Sequence, residues 1–238
     1  AAGSITATLA LNSEEDAMSE PKNDFRRELE ARGVSRREFM GFCSAMAVMF
    51  GLPKGATAMI AEAIENKPKP TLVWLNFQDC AGNTESFLRA SQPTAAEVIL
   101  ELISIDYHEV IMAAAGHQAE ANLHAVVENK KGQYIAVVEG SIPTGANGAY
   151  CTVGGRSAYD IANEVCGNAL ATVAAGTCAC FGGIPAASPN PTGAIGVSDA
   201  VPNVKNLINL SACPMNAQNL TATLVYFLTY GRFPALDK

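Results

Sequence analysis

Hydrophobic residues follow two regimes along the chain. From Phe39 to Pro53 they form one fifteen-residue run containing two glycines, and after Pro70 they come in short bursts, each closed by glycine or a polar turn. Bursts of that length, rich in β-branched residues, read as strands. They are Thr71–Phe77, Glu109–Ala115, Tyr134–Glu139, Ala171–Ala175 and Leu207–Leu210. Between them, Ala95–Ile105 carries Val98, Leu102 and Ile105 on one helical face, and Ala158–Gly167 and Leu220–Tyr230 read as further helices.

Strand–helix alternation with near-continuous apolar strands implies a parallel sheet buried on both faces. The fold expected is α/β, a flavodoxin-like doubly wound parallel sheet with an N-terminal helical arm. No internal repeat is visible. The chain divides near Pro68 and Pro70, where each proline pushes its predecessor out of the helical region. This gives an arm at 1–66 and a domain at 67–238. Within the arm, Ala1–Leu11 is small and apolar, Glu14–Asp24 is acidic, and Phe25–Leu29 opens a helix-like stretch interrupted by Gly33. Ser35-Arg36-Arg37-Glu38-Phe39-Met40 then precedes the long apolar run, a pattern shared by twin-arginine export signals and by amphipathic helices that pack on a partner.

Composition narrows the function. Of 238 residues, 49% are hydrophobic and only 16% charged, against roughly 25% charged in ordinary soluble chains. Fourteen of the charges lie between Glu14 and Glu38, so the surface beyond them is poor in charge and fit to be covered by a partner. The net charge is −7, and after Pro70 seven Lys and Arg face thirteen Asp and Glu, which excludes nucleic-acid binding as a main role. The longest apolar run is shorter than the roughly 20 residues of a spanning helix.

Seven cysteines is an odd number without the spacing of a small disulfide framework. Three of them fall in loops that follow strands: Gln78-Asp79-Cys80-Ala81-Gly82-Asn83-Thr84-Glu85-Ser86, Gly176-Thr177-Cys178-Ala179-Cys180-Phe181-Gly182-Gly183, and Ser211-Ala212-Cys213-Pro214-Met215-Asn216. In a parallel sheet such loops gather at the carboxyl ends of the strands. Thiolates beside glycines, whose bare backbone N–H groups can bond to sulfide, suit an iron–sulfur cluster. Packing as small core residues is the other role open to them.

These loops, together with WLNFQDCAGNTESFLRA, VVEGSIPT, YCTVGGRS and GTCACFGGIPAASPNPTGA in that order, resemble the small subunit of nickel–iron hydrogenases across residues 71–238. The stretch SRREFMGFCSA is similar to the export signal of such subunits. An aspartate before the first loop cysteine and an asparagine three after it resemble the actinobacterial-type, oxygen-tolerant branch.

The resemblance implies an electron relay. A nickel–iron centre in the partner large subunit oxidises dihydrogen, and a proximal 4Fe-4S cluster in this chain accepts the electrons. Carried over by position, the cluster ligands are Cys80, Cys178 and Cys213. The family's remaining cysteine falls on Asn83. Asp79 is the expected fourth ligand, because an ionised carboxylate suits iron better than an amide oxygen, with Cys180 and Asn83 as alternatives. Where the family continues into a segment holding medial and distal clusters, this sequence stops at Leu236-Asp237-Lys238, so one cluster is expected, with truncation or a further electron-acceptor chain to account for the rest. The assembly expected is an oligomer of heterodimers, its permanent interface burying more than about 2,000 Å² around Ile184-Pro185 and Pro189-Asn190-Pro191. A cytoplasmic location is expected because the stretch before Arg36-Arg37 is long and acid-rich. Twin-arginine export with membrane association is the alternative.

The other residues carry plainer expectations. Cys43, Cys151 and Cys166 match no ligand position and read as structural thiols. His108, His117 and His124 lack metal-ligand spacing with the cysteine loops. Glu85 is expected to hydrogen-bond backbone, and Arg156 to follow a turn. Three competing functions remain: the cluster-bearing subunit of a quinone-reducing complex, which typically has paired cysteines in the first loop; a flavodoxin-like flavin-binding module, for which Thr84 and Ser86 alone make a sparse phosphate loop; and a zinc scaffold, for which Cys-x-x-Cys pairs are absent.

Overall fold

Every residue of Thr71–Asn76 (β1), Tyr134–Glu139 (β3) and Ala171–Ala175 (the fourth strand of the sheet) is buried, as strands covered on both faces must be. In this computed structural model, which describes residues 31, 34–53, 55–66, 69–91 and 93–235, they form one five-stranded parallel sheet. Ser104–His108 (β2) and Leu207–Leu210 complete it. The spatial order, by place in the sequence of sheet strands, is 2-1-3-4-5, the flavodoxin-like doubly wound order. The features read from the sequence at Ala1–Leu29, Gly33, Lys67-Pro68 and Leu236–Lys238 lie outside the described residues.

Alternate side chains along each strand feed two cores. Leu72, Trp74, Ile135, Val137, Val173 and Ala175 face one. Val73, Leu75, Tyr134, Ala136, Val138 and Ala174 face the other. The first face is covered by Arg36–Met49 (α1), Ala56–Asn66 (α2), Gly82–Leu88 (α3), the helical turns Ala95–Glu97 and Val98–Leu102, and the late helix Ala217–Tyr230. His117–Asn129 and Ala158–Asn168 cover the second.

Helix α1 starts where the sequence provides a capping box. Ser35 Oγ accepts from the Glu38 N–H at 3.3 Å, and the Ser35 N–H donates to Glu38 Oε2 at 2.8 Å. Arg36 and Arg37 are exposed at its first turn, while Phe39, Cys43, Met46 and Ala47 enter the first core. Among the described residues no helix is long and apolar enough to cross a membrane.

The second strand corrects the reading of the sequence. Glu109–Ala115 was the expected strand. The sheet instead takes Ser104–His108, pairing Thr71 with Ser104 and Trp74 with His108, and the helix expected over Ala95–Ile105 closes in a π-helical turn at Val98–Leu102. The physical reason is that β2 lies at an edge, where polar residues are tolerated. Ser104, Asp106 and His108 disguise it, and the more apolar stretch that follows is loop.

Register sets the functional edge. Asn76 pairs with Glu139, Glu139 with Ala175, and Ala175 with Leu210. Four strands therefore end level, and the loops leaving them start side by side.

Because α2 is part of the core, truncating its buried face must cost stability. Ile60 is 1% exposed and Met59 49% exposed. Ile60→Ala should destabilise the chain by about 2–5 kcal/mol, whereas Met59→Ala should stay within about 0.5 kcal/mol. Denaturant unfolding of the two variants checks this, and equal effects would contradict the packing.

Candidate functional site

Three loops meet at the level strand ends. The first leaves β1, passes Asp79 and Cys80, and turns through Ala81 in the left-handed region (φ 56°) into α3. The second, expected as a loop, is a short helix, Gly176–Phe181, that carries Cys178. The third holds Cys213. The Thr177 N–H donates to the Ala212 carbonyl at 2.9 Å, joining the second to the third. A Cβ built on Gly82 would lie 3.0 Å from Cys80 Sγ and 3.7 Å from Pro214 Cβ, which brings the first against the third.

The candidate ligands share one field. Burial pushes the Cys178 thiol up, and negative charge on Cys213, Cys80 and Asp79 adds to the effect. The backbone N–H of Ile184 bonds to the same thiol and opposes the shift. Cys80 and Cys213 are exposed. Asp79 Oδ1 accepts from the Ala81 N–H at 2.6 Å and Oδ2 from Asn76 Nδ2 at 3.3 Å. Burial raises its carboxyl above the usual range.

The alternatives point elsewhere. Cys180 is buried, its thiol donates to the Ala174 carbonyl at 3.3 Å, and burial pushes it up to about 12. Asn83 is buried, and its Oδ1 accepts from the Met215 N–H at 2.9 Å. Cys43 and Cys166 are fully buried, and Cys151 is half-buried in the field of Glu109 and Asp79. His117 and His124 are exposed, and His108 is buried. Glu85 differs from expectation: its carboxylate pairs with Arg89 at 2.5 Å on the surface. Arg156, in the short strand Arg156–Ser157, bonds to Glu164 at 2.5 Å.

Among the described residues no three His, Cys, Asp or Glu side chains stand close enough to share one metal ion. A single ion draws its donors to within about 2.3 Å of one point, whereas a multi-iron cluster takes a thiolate at each iron and needs a wider set. The residues fit such a cluster. Its donors are of the right chemistry and open to one edge, and the Ile184 N–H already bonds to sulfur. A Cβ on Gly183 would stand 2.6 Å from Cys178 Sγ, so only glycine leaves that thiol its room.

Sequence reasoning missed the carboxylates beneath the site. Glu139, 0% exposed, accepts from Asn83 N–H at 2.7 Å, Thr84 N–H at 3.1 Å, Thr84 Oγ1 at 2.5 Å, Trp74 Nε1 at 3.1 Å and Asn76 Nδ2 at 3.1 Å. Its signal was a lone acid ending an apolar strand. On β2, Tyr107 hydrogen-bonds to Glu109 and Glu120, and Glu109 also accepts from the Asn76 N–H. Burial raises the Glu109 carboxyl to about 7, with Glu120 and Asp79 adding to the rise. His108, stacked on Trp74 at 4.9 Å, is lowered by burial to about 4.

Residues 80–227 match the family described as NADH ubiquinone oxidoreductase, 20 Kd subunit. The chain is 44% identical to the Hydrogenase-2 small chain of Escherichia coli strain K12 over 209 residues, 88% of this chain and 56% of that protein. It is 46% identical to the periplasmic NiFe hydrogenase small subunit 1 of Nitratidesulfovibrio vulgaris over 218 residues, 91% of this chain and 68% of that protein. Among solved structures, a Ni-Fe-Se hydrogenase from Desulfomicrobium baculatum aligns with a TM-score of 0.69 at 33% identity, covering 72% of this chain and 68% of that one. An actinobacterial-type NiFe-hydrogenase from Ralstonia eutropha H16 aligns with a TM-score of 0.62 at 25% identity, covering 78% and 61%. The chain belongs to this family, within which its relatives are small subunits of nickel–iron hydrogenases. It spans 56% of the length of the Hydrogenase-2 small chain.

The two titrations under the site have opposite signs. His108 has a folded pKa below its unfolded one, so its contribution is lost as pH falls from about 6.5 towards about 4. Glu109 has a raised folded pKa, so its contribution is present in acid and lost as pH rises from the ordinary carboxyl range to about 7. His108→Gln should therefore lose less stability than the parent between pH 7.5 and 4.5, and Glu109→Gln should lose more. Thermal unfolding at the two pH values tests both, and parallel curves for all three proteins would refute the assignment.

Proposed function

We propose that this chain is the electron-transferring small subunit of a nickel–iron hydrogenase, with a proximal 4Fe-4S cluster held by Cys80, Cys178, Cys213 and Asp79. The observation that carries the reading is the meeting of the three cysteine segments at the level strand ends, the second bonded to the third through Thr177 and Ala212 and the first packed against the third at Gly82 and Pro214. The boundary at 66/67 belongs to the same proposal, with the iron–sulfur domain running from 67.

A bound cluster of this kind supplies one-electron storage and passage. The chain's own residues do the rest. Each of the three thiols releases a proton on ligation, and Asp79 does so to the extent that it is protonated. The Ile184 N–H bonds to the sulfur of Cys178, and Glu139 fixes the α3 backbone three and four residues beyond Cys80. Phe181, 63% exposed, and Ile184, 80% exposed, offer an apolar rim that a partner can cover so that water is kept from the edge. The partner proposed is the nickel–iron large subunit, where dihydrogen is split into two protons and two electrons.

The fit to the actinobacterial-type, oxygen-tolerant branch rests on Asp79 and Asn83 alone. Aligned by structure, the chain is 33% identical to the Ni-Fe-Se hydrogenase and 25% to the actinobacterial-type enzyme, which, with the Hydrogenase-2 and periplasmic small subunits among its relatives, favours an ordinary uptake enzyme. The same relatives turn the expectation for location towards twin-arginine export through Arg36 and Arg37, one of them being named periplasmic.

The chain co-expressed with its large subunit should purify brown, with iron and acid-labile sulfide in equal amounts. Cys178→Ser and Cys213→Ser should each lose most of that iron, and Asp79→Ala should change the electron paramagnetic resonance spectrum. Full iron content in the serine variants would remove the ligand assignment. For export, Arg36→Lys with Arg37→Lys should shift the protein from periplasmic to cytoplasmic fractions, and an unaltered distribution would restore the cytoplasmic reading.

A further inference from the structure

At the position where the family has a cysteine, Asn83 is built into the protein on three sides. Its backbone N–H donates to Glu139 at 2.7 Å. Its side-chain Oδ1 accepts from the Met215 N–H at 2.9 Å, across 132 residues of sequence. Its amide lies against the start of the second cysteine segment so closely that a Cβ on Gly176 would stand 2.5 Å from both Oδ1 and Nδ2. Gly176 has a φ of +80°, so that position favours glycine on conformational grounds as well.

We infer that Asn83 is a positioning residue: its amide pins the Cys213 loop to the first and second cysteine segments, and it supplies no ligand. The inference rests on the proposed cluster and deepens it. An amide oxygen engaged by a backbone N–H at 2.9 Å, on a side chain packed against Gly176, is committed to holding the Cys213 loop. The donor it satisfies, Met215 N–H, belongs to a residue 2% exposed that packs in the first core. A buried donor left unpaired is costly, so the pin has to be present for this loop to keep its place. Loss of the pin frees Cys213 first, because Cys213 lies two residues from the bonded N–H and is itself exposed.

The arrangement also explains how the site accommodates the loss of a cysteine. Asparagine is close in size to cysteine with an added hydrogen-bonding end. In this chain that end replaces a bond to metal by a bond between loops. The other side of the opening is left to Asp79, whose carboxylate shares the field of the three thiols.

Two variants test this in the full chain paired with its large subunit, read by amide hydrogen exchange of residues 211–216, iron content and electron paramagnetic resonance. Asn83→Ala removes the acceptor, and Asn83→Asp keeps an oxygen in the same place. Exchange at Met215 should speed up by about tenfold or more in Asn83→Ala, the effect of one lost buried hydrogen bond, and return towards the parent in Asn83→Asp. Iron content should fall in Asn83→Ala, while whatever cluster remains keeps the parent spectrum. Unchanged exchange in Asn83→Ala overturns the pin. A new spectrum in the cluster-bearing fraction of Asn83→Ala makes Asn83 a ligand and overturns the other half. Exchange needs no metal, so the pin is judged even in a preparation where the parent chain holds no iron, the result that would defeat the proposed cluster instead.

Discussion

A carboxylate shut away from water has to be surrounded by donors, and Glu139 meets that demand with five of them. Two come from β1, the Trp74 indole and the Asn76 amide. Three come from the first turn of α3, the N–H groups of Asn83 and Thr84 and the Thr84 hydroxyl. The charge can stay buried only while β1, β3 and α3 keep these positions. The geometry that holds the first cysteine segment in place is thus fixed from beneath by one side chain that stands outside the proposed ligand set. Asn76 passes the constraint upward, since the amide that donates to Glu139 also donates to Asp79.

The sheet supplies the second part of the constraint. Its strands end level at Asn76, Glu139, Ala175 and Leu210. Segments remote in sequence therefore leave the sheet as neighbours, and three of them carry cysteine. The short bonds between them, Thr177 to Ala212 and Asn83 to Met215, would be too few to assemble the site from free loops. They suffice because the strand register has already removed most of the conformational freedom that such an assembly would have to lose.

The three central strands were legible because burial on both faces forces an unbroken apolar run, and the edge strand Leu207–Leu210 because three of its four residues are apolar all the same. The other edge strand, Ser104–His108, was not legible, because an edge need not be apolar and Asp106 and His108 look like loop. The cysteine loops were legible as chemistry, but their supports were not. Glu139 meets its donors across 55 to 65 residues of sequence, and no local pattern of spacing encodes contacts of that range. Tyr107, Glu109 and Glu120 were hidden for the same reason. They are brought together only by the strand that was misplaced and by a helix, His117–Asn129, that the sequence reading did not single out.

The low charge of the chain takes on a definite shape in the structure. Apolar residues at the surface are ordinary when scattered, but Phe181 ends the short helix that carries Cys178 and Ile184 closely follows it, and Ile184 bonds to that thiol through its own N–H. A hydrophobic side chain whose backbone already serves the site cannot be moved to suit a new surface without disturbing the sulfur. The outward face of this loop and its inward chemistry are therefore selected together. In the proposed complex, covering Ile184 lowers the dielectric around Cys178 and keeps water off the sulfur, which strengthens the N–H···S bond at the moment the partner docks. Binding of the partner and tuning of the electron carrier are then one event.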